Sequence, residues 1–598
     1  MGWEDSVADT SSIPPARLPY PWPLLAWCVG LAALVLAPLA RPGFLLSYDM
    51  VTVPRQELVP DALGLGSALP RAVPLDAVVA VLTQVVPGEL LYRAVLVGIL
   101  AGGAIGAAML LPRASGTVRA VAASAYVWNA YVAERLVIGH WGLLVGYAVL
   151  PWLLRASLAV RHGDRAALPK ALVLVALASV TPTGGILATG VLVVVVVALP
   201  GRRRRSPAAL AVAGCVVLQL PWLVPGVLTP TSLTSDPRAV EAFATHPDSP
   251  LGLVGSVLTL GGIWNSEVVP DSRSLWTAAI ITVVWVGLAL GGITRLRPTV
   301  GGTATLALVV LAVLGIVLSL SGAFGGTLAW AVERFPGAGL LRDGTKFLAW
   351  YSLALAPAAA LGAARLAASV SRWSGGLVSA TVVASTAALL PLAALPDLAW
   401  GVGGRLSAVQ YPPSWDDVRD ALQREPGAGA LVVLPYQPYR SFDWNDGRTV
   451  LDPLPRYVGV ETVVPDTLTV GSRRLAGEDP RAAAVAEALD ASDPAERLLR
   501  LGVGWVAVEH GTPGARPGRV LEDLDSVIIG GDIDLYRVRG DPAPWRAVPP
   551  RAPVLVAHLT ALAVVAGSAA WLAKAKLTRN GQDALVQSAQ PDRARQEE

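Results

Sequence analysis

The chain has 598 residues, 53% of them hydrophobic and 15% charged, with a formal net charge of +3, where an ordinary soluble domain carries roughly 25% charged residues. So apolar a chain cannot hide its side chains in a water-soluble core, and stretches such as 24–40, 304–320 and 554–572 are apolar for about the length that spans a bilayer. Two cysteines inside apolar runs and five scattered histidines exclude a disulfide framework and a Cys/His zinc site, and the one dense basic run, Arg202 to Arg205, abuts an apolar segment, so no nucleic-acid partner is indicated.

Residues 1–22 read as a polar, proline-rich cytoplasmic tail. The apolar run 23–46 that follows lacks a small-residue cleavage site, which predicts a retained first helix rather than a signal peptide. An outer loop, 47–87, opens with Ser47-Tyr48-Asp49-Met50 and carries Arg55, Glu57 and Asp61. An acid at the outer end of the first helix reads either as a general base facing a lipid-borne substrate or as a solvated, helix-ending carboxylate.

Further apolar spans fall at 88–111, 118–133, 141–158, 168–182, 183–200, 207–228, 274–293, 299–321, 345–368, 376–397 and 551–573, about twelve in all. The run Thr181-Pro182-Thr183-Gly184-Gly185 either turns at the outer surface or forms a kinked, re-entrant segment. Arg113, Arg119, Arg155, Arg161, Arg165, Arg202 to Arg205, Arg295, Arg297, Arg365, Arg372, Lys574, Lys576 and Arg579 all fall on one side. The positive-inside rule makes that side cytoplasmic, with both termini in.

Charges on the opposite side are therefore the informative ones. The turn Trp128-Asn129-Ala130-Tyr131-Val132-Ala133-Glu134-Arg135 with His140 and Trp141 lies at the outer interface, where Arg135 either pairs with Glu134 or grips a phosphate through its planar fork. The loop 229–273 carries an apolar middle, 251–262, that either gates a lateral site or packs as an interfacial helix, and ends in Trp264, Glu267 and Asp271. The loop 322–344 leads through Arg342 and Asp343 to Lys346 at the start of a helix, an end that already favours anions. Lys346 there either adds to a phosphate site or snorkels to the headgroups beside a cap made by Asp343 or Thr345.

The tract 398–550 returns to soluble-protein composition. The runs 431–434 and 505–508 predict buried strands, 533–538 alternates with period two, and Pro480 to Leu501 is helix-forming. These elements predict an extracytoplasmic α/β domain, followed by a last membrane helix at 551–573 and a cytoplasmic tail at 574–598.

Together, an acid in the first outer loop, many helices, a membrane-hugging outer loop and a terminal extracytoplasmic domain resemble the GT-C superfamily of polyprenyl-phosphate-sugar-dependent glycosyltransferases. The stretch Trp128 to Leu136 with Gly139-His140-Trp141 and Tyr147 looks like a recurring motif of bacterial members, and the chain is more loosely similar to actinobacterial arabinofuranosyl- and mannosyltransferases of cell-envelope assembly. The resemblance implies a plasma-membrane enzyme with its active site on the extracytoplasmic face, a polyprenyl-phosphate sugar donor and a cell-envelope glycan or glycolipid acceptor. It implies Asp49 as catalytic base, although many members carry two adjacent acids where Met50 follows Asp49 here. Arg135, Arg342 and Lys346 would hold the donor phosphate, with Arg55, Glu57, Glu134, His140, Trp141, Trp264, Glu267 and Asp343 supporting or binding the acceptor. No metal is required if cations stabilise the phosphate, though Asp49 and Glu267 can offer oxygen ligands to a divalent cation. Two other classes share these features: a flippase for lipid-linked sugars, and a non-catalytic scaffold of envelope assembly with a degenerate transferase fold.

Overall fold

A computed structural model of the chain describes residues 22–200, 205–229, 236–324, 326–335, 337–471, 473–516 and 518–588. All but the last residue of the tail expected at 1–22, most of the basic run from Arg202 and the end of the tail at 574–598 lie outside the described residues. Among the described residues eight helices are long and apolar enough to cross a membrane: Trp22–Ala40, Gly88–Ala108, Trp141–His162, Ser206–Leu228, Trp276–Val300, Gly302–Phe324, Gly344–Trp373 and Arg551–Thr578. A ninth arises if Ala380–Ala394 and Pro396–Gly403, bent by 75°, count as one span.

That is fewer than the twelve expected, and the caps explain the difference. Asn129 ends one helix and starts the next: its Nδ2 donates to the carbonyls of Ala125 and Tyr126, and its Oδ1 accepts from the Val132 amide. The span expected at 118–133 is thus two short helices, Gly116–Val127 and Ala130–Val137. Thr181 likewise caps the Gly184 amide, with Pro182 in the first helical turn. The flanking helix Ala167–Ala178 has 12 residues, about 18 Å at 1.5 Å per residue, and the one from Pro182 runs on through a π turn to Ala198, about 25 Å, both short of a hydrocarbon core of about 30 Å. Apolar composition marked these segments, but length decides whether they span.

Small residues let the long helices pack closely. A Cβ on Gly362 would sit 1.7 Å from the Leu288 carbonyl oxygen, so only glycine lets helix Gly344–Trp373 lie against Trp276–Val300 at this point.

Beyond the helices, β1 (Phe44–Ser47) and β2 (Met50–Val51) form a hairpin, and β3 (Ala408–Val409) pairs with β1 on its other side. Then follow β4 (Ala430–Leu434), the hairpin of β5 (Tyr439–Ser441) and β6 (Thr449–Leu451), the hairpin of β7 (Leu468–Val470) and β8 (Arg473–Leu475), and β9 (Val503–Glu509), β10 (Leu524–Ile528) and β11 (Ile533–Val538). A four-stranded sheet runs β10-β11-β9-β4, with β4 parallel to β9 and the other pairs antiparallel. Every residue of β4 and β9 is buried, as their unbroken apolar runs predict, because helices cover both faces. On one face lie Pro480–Leu489 and Pro494–Arg500, where a single helix was expected; Pro494 enters the first turn of the second and separates the two. On the other face Trp415 and Leu422 of helix Ser414–Arg424 pack with Val433, Leu535 and Phe442, and Leu46, Val51 and Val53 of the first outer loop join the same core. The first loop is therefore built into the C-terminal sheet region.

Candidate functional site

The Asp49 turn is held by two separate stretches of chain, 449–451 and 137–139. Tyr48 sits at φ 46° between β1 and β2; its amide donates to the Thr449 carbonyl at 2.7 Å, and its carbonyl accepts from the Leu451 amide at 2.8 Å. The Asp49 amide donates to the Ile138 carbonyl at 3.1 Å, and Ser47 Oγ to the Val137 carbonyl at 2.7 Å. Gly139 makes this approach feasible. At φ +84° it lies so close that a Cβ would meet the Met50 amide nitrogen at 2.0 Å and the Asp49 carbonyl carbon at 2.7 Å.

The carboxylate so placed accepts from the Tyr439 hydroxyl at 2.7 Å through Oδ1 and lies 3.3 Å from His140 Nε2 through Oδ2. His140 Nδ1 in turn is 3.1 Å from Arg135 Nη1. A guanidinium can only donate, so Nδ1 accepts and the imidazole proton resides on Nε2, facing Asp49. Burial, reinforced by the charges of Lys346 and Arg135, pushes His140 down and keeps it neutral despite Asp49. For Asp49 burial alone would raise the pKa, but the hydrogen bonds from His140 and Tyr439 and the Lys346 charge outweigh it and hold the carboxyl below its usual range.

Arg135 closes the next shell. Its fork meets Asp343 Oδ2 at 3.1 Å and Oδ1 at 3.3 Å and donates to Thr345 Oγ1, while the group lies 5.6 Å over the Tyr131 ring. Neither sequence alternative for Arg135 describes this arrangement: the fork is filled by Asp343, not Glu134, and the side chain is 1% exposed. Glu134 faces the other way, against Asp248, itself paired with Arg273 at 2.6 Å; burial and then Asp248 push Glu134 well above its ordinary value. Asp343 also takes Thr345 Oγ1 at 2.7 Å and lies 3.6 Å from Lys346 Nζ. Burial opposes its ionisation, yet Arg135 and Lys346 hold it far below the usual carboxylate range. Under this cluster the Tyr131 hydroxyl donates to the Lys346 carbonyl at 2.9 Å, and the Tyr131 and Tyr126 rings stack on Tyr147.

Exposure separates the members that can meet a ligand from those that cannot. Asp49 keeps 39% of its side chain open, Arg342 26% and Lys346 23%, whereas Asp343 keeps 5%. Lys346 Nζ and the Arg342 guanidinium make no hydrogen bond among the described residues; Arg342 lies 4.8 Å over the Phe243 ring and 3.8 Å from Glu478. The Phe243 ring meets Trp264 edge-on at 4.8 Å, and Glu267 accepts from the Tyr48 hydroxyl at 2.5 Å.

Thus Asp49, Arg135, His140, Asp343 and Lys346 form one chain of contacts, with Glu267 one side chain removed and Arg342 and Trp264 on a neighbouring aromatic cluster. Other expected residues lie elsewhere. Arg55 and Glu57 pair with each other at 3.1 Å, and Trp141 packs edge-on against Tyr92 at 5.6 Å. Asp61 faces Glu461 and Asp479, and burial followed by the Glu461 charge pushes it up to about 7. Asp271 pairs with Arg405 at 2.7 Å. The apolar middle of its loop is a short packed helix, Gly252–Leu258, with Val257, Leu260 and Ile263 buried. Asp49 and Glu267 gain no third acidic, imidazole or thiolate neighbour placed to complete a metal site among the described residues. Sequence reading missed Tyr439, Arg71 and Glu478. The last two pair at 2.6 Å, and the positive charge of Arg71 is the only signal in the first loop that pointed there.

No protein-family model matches the chain, and no curated protein matches it by sequence. Among solved structures, the arabinofuranosyltransferase AftD from Mycobacteria matches over 87% of this chain with a TM-score of 0.50 at 18% identity. Over the matched stretch the chain shares the fold of AftD. A substituted form of the same enzyme matches equally, with a TM-score of 0.50 at 17% identity. The likeness takes in both the membrane helices and the C-terminal sheet region. The match spans 40% of the AftD chain, so this chain corresponds to less than half the length of that enzyme.

Proposed function

We propose that this chain is a membrane glycosyltransferase that moves a sugar from a polyprenyl-phosphate donor to a cell-envelope glycan or glycolipid on the extracytoplasmic face of the plasma membrane. The observation that carries the reading is the meeting of an open, ionised carboxylate with cations that lack hydrogen-bond partners among the described residues, at the junction of the helices and the sheet region. An acceptor hydroxyl oxygen attacks the anomeric carbon, Asp49 takes its proton, and the bond from that carbon to the phosphate oxygen breaks with inversion. Lys346 and Arg342 stabilise the charge that gathers on the departing polyprenyl phosphate. Arg135 acts through others: sealed against Asp343, it fixes the tautomer of His140 and the place of Lys346. The region 398–550, which supplies Tyr439, holds the acceptor, and both chain termini face the cytoplasm.

The test uses Asp49→Asn in purified, membrane-inserted protein, with release of polyprenyl phosphate from labelled polyprenyl-phosphate sugar as the readout. Turnover by the parent chain and its loss in the variant support the reading. Unchanged turnover in the variant removes Asp49 from it, and vectorial movement of the donor without cleavage by the parent assigns a flippase instead.

A further inference from the structure

Arg71 of the first outer loop, Arg342 before helix Gly344–Trp373 and Glu478 after β8 come from three distant parts of the chain and meet at one place. Glu478 Oε2 accepts from Arg71 Nη2 at 2.6 Å, while its Oε1 stays 3.8 Å from Arg342 Nη1, beyond hydrogen-bond reach. One carboxylate therefore serves two guanidiniums and satisfies only the first. Arg342 pays for this arrangement: burial, and then the like charge of Arg71, disfavour its cationic form, and Glu478 and Asp343 only partly oppose them. A partly desolvated guanidinium has five N–H donors to satisfy, and those of Arg342 find no acceptor within hydrogen-bond distance among the described residues, while the Phe243 ring lies 4.8 Å away.

The loop presenting Glu478 is held in place independently of the arginines. The amides of Glu478 and Asp479 both donate to Asp466 Oδ2, at 2.6 and 2.9 Å. A Cβ on Gly477 would fall 1.9 Å from Asp466 Oδ1, so the backbone passes directly against that carboxylate. The two arginines are also within electrostatic reach of the proposed reaction centre: the charge of Arg342 acts on Lys346, that of Lys346 on Asp49, and that of Arg71 on Tyr439.

We propose that Arg71 and Arg342 form a phosphate subsite that extends the Lys346 site, and that Glu478 is its resident placeholder, a carboxylate occupying the ground that a phosphate monoester takes on binding. Carboxylate and phosphate suit the same guanidinium fork, but the phosphate brings three oxygens and more charge, enough to reach both arginines at once. On binding, phosphate oxygens accept from Arg71 and Arg342, and Glu478 withdraws from between them. The subsite thereby disfavours neutral lipids and holds best the polyprenyl phosphate that leaves, a monoester with three free oxygens where the donor's diester has two. This inference rests on the anion role proposed for Lys346 and Arg342.

The experiment measures binding of farnesyl phosphate, inorganic phosphate and farnesol to the full chain in lipid nanodiscs, with thermal unfolding as the folding control. Glu478→Gln removes the competing charge and tightens farnesyl phosphate by about fivefold, Arg342→Gln weakens it by about tenfold or more, and farnesol binds all forms alike. Tightening of inorganic phosphate in parallel means that the headgroup alone is read; tightening of farnesyl phosphate alone means that the lipid tail must anchor it; either supports the placeholder. Unchanged or weaker binding of both phosphates to a folded Glu478→Gln overturns it. Should that variant fail to fold, Arg71→Gln decides, since an unaltered affinity there is equally fatal. Altered binding without any sugar transfer sinks the transferase reading alone, whereas transfer with no effect of Glu478→Gln sinks the placeholder alone.

Discussion

Gly139→Ala tests whether the Asp49 turn is the working part of the molecule without touching an ionisable group. The added methyl would lie 2.0 Å from the Met50 nitrogen, and the residue would remain at φ +84°. The left-handed backbone costs alanine about 1–2 kcal/mol. Ordinary van der Waals contact begins near 3.4 Å, so the turn must also retreat by more than an ångström, which takes Asp49 away from Tyr439 and His140. A displacement of about 1 Å in a reacting group costs on the order of 100-fold in rate. Release of polyprenyl phosphate should therefore fall about 100-fold, while thermal unfolding reports a loss of about 2–5 kcal/mol. Gly98→Ala is the matched control: nothing lies within 4 Å of its Cβ position, in the middle of helix Gly88–Ala108, and alanine there is neutral or stabilising by up to about 1 kcal/mol. Wild-type turnover in folded Gly139→Ala, or an equal loss in Gly98→Ala, would refute the reasoning.

Tyr439→Phe removes one of the hydrogen bonds that keep Asp49 ionised, so the acidic limb of the kcat/KM profile should move to higher pH; a fall in rate with the limb in place assigns Tyr439 another role. Arg135→Met leaves Asp343 buried without its main partner and should destabilise the chain by about 3–5 kcal/mol, whereas Lys346→Met should lower turnover with the unfolding temperature nearly unchanged; the reverse pattern would exchange their roles. Arg440 is 1% exposed, donates to Glu509 and pairs with Asp452 at 2.9 Å, so Arg440→Met should cost a similar about 3–5 kcal/mol and also loosen the neighbouring Tyr439, read as loss of both stability and rate. Asp61, raised in the folded chain to about 7 from 3.8, favours folding less as pH rises between those values, because only the folded form still holds the proton. Asp61→Asn should therefore gain stability at about pH 8 relative to about pH 5; an equal change at both refutes the shift.

What could be read from the sequence divides along a physical line. Asp49, Arg135, His140, Asp343 and Lys346 stood out because a charge beside apolar membrane segments is costly and rarely incidental, and β4 and β9 stood out because a strand buried on both faces is apolar throughout. The helix count did not follow from composition, since Asn129 and Thr181 cut apolar runs that hydropathy reads as whole. Tyr439 and Glu478 were silent for a different reason: they belong to a region of ordinary soluble composition, where a tyrosine or a glutamate carries no cost that marks it. Their partners lie 390 and 407 residues away, Asp49 and Arg71 in the first loop.

That separation bears on how the site is assembled. The helices alone place His140, Arg135 and Lys346, but the carboxylate they surround is carried by a hairpin whose backbone is strapped to β6 and whose side chains Leu46, Val51 and Val53 are buried in the C-terminal core. The Asp49 carboxylate takes one contact from His140 on the membrane side and one from Tyr439. Any motion of the sheet region against the helices would pull on both sets at once. The coupling must therefore be tight, and the buried Arg440 pairs with Asp452 and Glu509, one residue beyond Tyr439, supply that rigidity next to the Asp49 carboxylate.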